Sequence, residues 1–153
     1  MTAYLWIKLI HILSATILFG TGLGTAFFLL KAYWSNSDTV MLETSKHVVQ
    51  ADWFFTTPAV IVQLLTGLWL TQHLAISFTS PWFIAVIGVY AFVGACWIPV
   101  VWIQIRISRL IQEGASRDAY RTLMRAWMAL GVPAFAGVLA LFFLMVSKYG
   151  AYT

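Results

Sequence analysis

Four long apolar stretches, separated by three short polar gaps, take up almost all of this 153-residue chain. A helix needs about 20 apolar residues to cross the hydrocarbon of a bilayer. The first stretch runs from Tyr4 to Leu30 and is broken only by Lys8 and His11. The second runs from Trp53 to about His73, the third from Trp82 to about Ile105, and the fourth from Trp127 to Val146. A transmembrane β-barrel is excluded, because its strands alternate apolar and polar residues in short segments. The expected fold is therefore all-α: a polytopic membrane protein forming a four-transmembrane-helix bundle. One domain, 1–153, would carry spans near 4–30, 53–73, 82–105 and 127–146. Charged residues are only 9% of the chain, against about 25% in soluble domains. So short a chain cannot hide this much apolar surface in its own core, so lipid must cover the rest.

The start of the chain reads as a retained anchor. It has no basic leader, and its apolar run is too long for the core of a cleaved signal. Lys31, Lys46, Arg106, Arg109, Arg117, Arg121 and Arg125 all fall on one side if the spans alternate in direction, leaving Lys8 and Lys148 on the other. Positive residues concentrate on the cytoplasmic side of multi-pass proteins. The expected location is an inner (cytoplasmic) membrane, with both termini and the Ala75–Ser80 turn outside. Tyr4, Trp6, Trp69, Trp82 and Tyr149 then mark the outer interface, and Tyr33, Trp34, Trp53, Trp102 and Trp127 the inner one. The basic balance needs no nucleic-acid partner. The arginines between Arg106 and Arg125 would attract anionic lipid head groups.

Lipid gives helices no hydrophobic reason to associate, so small residues that permit close approach matter. Gly20, Gly22 and Gly24 lie in the first span, Gly88, Ala91 and Ala95 in the third, and Gly131 and Ala134 in the fourth. A homo-oligomer through such a face is conceivable on the same grounds. Pro58, Pro99 and Pro133 interrupt three spans, and each removes an amide donor. Thr56, Thr57, Gln63 and Gln104 are near enough to serve the carbonyls so freed.

His11 is the ionisable residue that stands out, since such a group inside a span is a functional hypothesis. Helical spacing puts it on one face with Ser14, Ala15, Leu18, Gly22 and Thr25. Two readings are open. Its imidazole ligates iron or copper, or it is hydrogen-bonded to a neighbour such as a Thr or Gln. His73 ends the second span toward the same side, either as a second ligand or facing water. Lys8, one turn outward, snorkels to the interface or adds to that site. His47 lies at the opposite end. There is no Cys-x-x-Cys-His for covalent haem. Met124, Met128 and Met145 do not converge as a copper cluster would require, and the lone Cys96 is buried and inert.

Trp6-x-Lys8-x-x-His11, Thr57-Pro58-Ala59 with Gly67-Leu68-Trp69, and Pro133 followed by Val146-Ser147-Lys148 together carry a resemblance. The chain resembles, over nearly its whole length, an uncharacterised family of predicted four-helix integral membrane proteins. More distantly it is similar to the HemJ-type membrane protoporphyrinogen oxidases and the CopD copper-resistance proteins. The first of these implies haem b held by a first-helix histidine, the place His11 occupies. The stretch from Trp82 to Ile87 lacks that family's third-helix lysine, and Ala129–Pro133 lacks its Asn-Glu. What the resemblance implies is thus the haem site more than the reaction.

Two functions follow as expectations. One is a small haem b protein with metal ligands His11 and His73, and with Gly22 and Lys8 beside the cofactor. It would act in membrane redox or tetrapyrrole chemistry with a quinone, a tetrapyrrole or a partner membrane subunit. The alternative is a non-enzymatic accessory subunit, or a carrier of metal or small solute, without cofactor.

Overall fold

The computed structural model describes residues 2–147. Lys148 and Tyr149, assigned above to the outer side, lie outside the described residues. Helix α1 spans Ala3–Trp34 without a break. Helix α2, Asp38–Ala51, follows a tight connection in which Asn36 has φ 58° and the Ser37 hydroxyl accepts from the Val40 amide at 3.4 Å. A π-turn, Asp52–Thr56, carries α2 directly into α3, Thr57–His73. Helix α4, Pro81–Gln112, opens with a proline at its first position behind the capping Ser80. It ends at Gly114, whose φ of 74° suits a residue without Cβ. Helix α5 is Arg117–Ser147. The short connections make successive spans antiparallel.

Four helical runs are long and apolar enough to cross a membrane, and the protein is an integral membrane protein. At 32 residues, α1 and α4 are each about 48 Å long by their rise. A bilayer's hydrocarbon is about 30 Å thick. The two gaps on the arginine-rich side are therefore mostly helix, not the loops their polarity suggests. The cause is periodic burial: Met41, Ser45 and Val48 of α2 fall on one face and are buried.

The two ends of the bundle are built differently. At the arginine-rich end Leu29 and Ala32 of α1, Met41 and Val48 of α2, Val100, Ile103 and Ile107 of α4, and Tyr120, Met124 and Trp127 of α5 form one buried apolar core. Polar ties close it. The Tyr120 hydroxyl donates to Asp38 Oδ1 at 2.6 Å. Arg117 donates to the Tyr33 carbonyl and lies 4.9 Å over its ring. That arginine is thus spent inside the protein and not on a lipid head group. At the opposite end, where α1 begins and α5 finishes, α1 packs chiefly on α3, and α4 chiefly on α5. The pairs are linked by the stacking of Phe19 with Phe135 (5.4 Å) and by the Tyr90 hydroxyl donating to the Val60 carbonyl at 2.8 Å.

Most of the expected glycine contacts are not made. Cβ atoms at Gly20, Gly22, Gly24, Gly88 and Gly131 would meet nothing within 4 Å. Close approach occurs instead at Gly137, where a Cβ would stand 2.6 Å from Val93 Cγ2, so α4 and α5 meet through a residue that sequence spacing did not single out. Two of the expected interface tryptophans are also interior. Trp82 is buried and donates to the Leu144 carbonyl at 2.8 Å, and Trp127 lies in the core.

Candidate functional site

His11 sits on α1 against one turn of α3. Its Nδ1 is 2.8 Å from Thr66 Oγ1, and its Nε2 is 3.0 Å from Gln63 Nε2. An amide nitrogen only donates, so His11 Nε2 accepts and Nδ1 carries the proton. Thr66 Oγ1 receives that proton's bond and donates to the Val62 carbonyl at 2.6 Å. The other end of Gln63 accepts from the buried Ser14 hydroxyl at 2.5 Å. Thus α1 contributes His11 and Ser14, α3 contributes Gln63 and Thr66, and the ring and the amide each have both ends engaged. Gly67 completes the seat, since a Cβ there would stand 3.2 Å from His11 Cε1. Of the two readings of this histidine, the structure displays the hydrogen-bonded one.

These residues do not fit haem at His11. An iron would have to displace the Gln63 amide from Nε2. His73 does not share the position. It lies seven residues beyond Thr66, about 10 Å along the helix, exposed and stacked between Tyr4 (5.3 Å) and Trp69 (4.7 Å). One metal needs its ligand nitrogens each within about 2 Å. Lys8 is exposed with its Nζ 5.7 Å from the Tyr4 ring, the posture of a snorkelling side chain. Gly22 is exposed, three turns from His11, with open space where a Cβ would be.

A second polar centre lies at the arginine-rich end. Asp52, in the π-turn, is only 5% exposed. The Gln104 amide, oriented to satisfy both its ends, donates to Asp52 Oδ2 at 3.0 Å and accepts from Trp127 Nε1 at 3.1 Å. The Thr56 hydroxyl and Trp97 indole flank the same carboxyl. That hydroxyl, buried, meets hydrogen-bond geometry with no described group. Nearby, the Ser108 hydroxyl donates to Ser45 Oγ at 2.9 Å.

Across residues 5–149 the sequence matches the model of a family described as predicted integral membrane protein, DUF2269. The chain belongs to this family. No curated protein and no solved structure matches it.

In this DUF2269 member the two centres were unequally visible beforehand. Gln63, Thr66 and Gly67 share a face by helical spacing, but nothing in the sequence marks Thr66 as the partner of Nδ1. Asp52 was missed because it stands just before the second apolar stretch, where an acid reads as solvated. Thr57-Pro58 was the available signal. The proline ring crowds the carbonyl four residues back, and a π-turn beside it relieves that crowding. The Thr57 amide and hydroxyl (2.9 Å) both take the Asp52 carbonyl. The wider turn rotates Asp52 toward the core. No group of three or more His, Cys, Asp or Glu suited to a metal occurs among the described residues. Met145 packs at the opposite end from Met124 and Met128.

Proposed function

We propose that this protein is a non-enzymatic membrane component, an accessory subunit or small-solute carrier, in which His11 clasps two spans together and ligates nothing. The observation that supports it is the closed ring of bonds around the imidazole. Both nitrogens are engaged by α3, so ring and helix pair are held in one arrangement. Interhelical hydrogen bonds of this kind contribute about 0.6 kcal/mol each on average, and up to about 1.7. The proposed orientation puts the arginine-rich end in the cytoplasm, by the excess of positive residues there.

The test is an absorption spectrum of detergent-solubilised protein, oxidised and then dithionite-reduced, from cells with ample haem. The expected spectrum has no Soret band that depends on His11, while His11→Ala lowers the unfolding temperature. A Soret band present in the native protein and lost in His11→Ala would overturn the proposal in favour of a haem b protein in membrane redox or tetrapyrrole chemistry.

A further inference from the structure

We propose that the groove between α1 and α2 is a head-group site for an anionic phospholipid. The groove has a volume of about 370 Å³ and is lined by Thr25 and Phe28 of α1 and by Thr44, His47, Val48 and Ala51 of α2. Three of these side chains can hydrogen-bond, and none is an acid. His47 and Phe28 are exposed and Thr25 and Thr44 half-buried, so the polar groups can be reached from outside the protein.

Depth and charge together argue for this occupant. By helical rise Thr25 stands about 32 Å along α1 from Tyr4, where the first apolar stretch begins. A bilayer's hydrocarbon is about 30 Å thick, so the groove opens at the level of lipid esters and phosphates, on the arginine-rich side. Helix α2 runs back toward the membrane, which sets Thr44 nearer water and Ala51 nearer hydrocarbon. Lys31 is exposed and lies one helical turn beyond Phe28, on the same flank of α1 and closer to water. The ion pair present among the described residues is Lys46 with Glu43, so no acid there lies within 4 Å of the Lys31 ammonium. A phosphate at this rim would meet that ammonium, the Thr44 hydroxyl and the His47 ring. In its cationic form the ring donates from both nitrogens, so Nε2 can take the phosphate while Nδ1 keeps Gln50 Oε1 at 3.4 Å. Deeper in the groove, Phe28, Val48 and Ala51 offer the first acyl carbons an apolar wall. Anionic lipids are drawn to basic residues at the membrane surface. A zwitterionic head group brings an ammonium of its own, for which the lining holds no acid. Nothing here depends on His11, so the inference goes beyond the proposed clasp and survives its failure.

The test titrates palmitoyl-oleoyl phosphatidylglycerol into the protein in dodecyl maltoside and counts bound lipids by native mass spectrometry. Phosphatidylcholine with the same chains is the control. One saturable phosphatidylglycerol adduct, held at least fivefold more tightly than phosphatidylcholine, is expected. Lys31→Gln and His47→Ala, both at exposed positions, should each weaken it at least threefold. Ala51→Phe, which fills the deep end of the groove without changing charge, should abolish it. Arg121→Gln removes an exposed charge from α5, which does not line the groove, and should change affinity less than twofold. Equal binding of the two lipids overturns the proposal. So does unchanged affinity in folded Lys31→Gln and His47→Ala proteins, or in a folded Ala51→Phe protein. An equal loss in Arg121→Gln also overturns it, because diffuse surface charge then accounts for the binding. If Ala51→Phe does not fold, the Lys31, His47 and Arg121 variants decide the matter by the same criteria.

Discussion

The bundle's two ends hold their helices together by opposite means. Where α1 begins and α5 finishes, few side chains are buried, and α1 meets α3 through His11, Ser14, Gln63 and Thr66. At the arginine-rich end, ten buried apolar residues from α1, α2, α4 and α5 interlock, with polar groups at their edge. The solvent accounts for the difference. In lipid an apolar side chain gains little by leaving the surface, so hydrogen bonds and close packing decide which helices pair. Helices that extend past the hydrocarbon into water gain from burying apolar area, about 25 cal/mol per Å². Ala32, Met41, Val48, Ile107, Tyr120 and Met124 of that core lie outside the four apolar stretches, where soluble-protein rules apply, while Leu29, Val100, Ile103 and Trp127 lie within them.

Substitutions should separate the two regimes, measured as unfolding free energy in detergent micelles. The largest effect is expected at the arginine-rich end. Met124 is fully buried, and Met124→Ala should cost about 2–5 kcal/mol, as for other core truncations. A loss below 1 kcal/mol would mean that this end is not a water-driven core. Next, Gln104→Leu leaves the Asp52 carboxyl and the Trp127 indole without their partner, and about 1–3 kcal/mol should be lost. Restoring the amide as Gln104→Asn should recover little, because the shorter side chain cannot span both. At the other end, His11→Ala and Gln63→Ala form a double-mutant cycle whose coupling should fall near the 0.6–1.7 kcal/mol range, roughly, of interhelical bonds. Additive effects would show the clasp to be energetically empty. The smallest change is expected for Gly22→Ala, within about 0.5 kcal/mol, since its Cβ meets open space. A large loss there in the native membrane, absent in dilute detergent, would point instead to a second copy packed on that face.

What the sequence determined alone was the class and the number of crossings. Four apolar runs of span length cannot be satisfied in water, and in lipid an unclosed backbone must be helical. His11 was legible as the polar oddity of its span, with a Thr or Gln as one reading of its partner, because helical spacing is local. Tertiary structure decided the rest. Whether an imidazole ligates or hydrogen-bonds depends on what a helix some 50 residues away presents to it, here Gln63, Thr66 and Gly67. The helicity of the polar gaps depended on α2 finding α4 and α1 to cover its buried face. Asp52 is interior within the π-turn beside Pro58, where the helical register that spacing arguments assume is shifted. Spacing reports which residues share a face; only packing determines what that face touches.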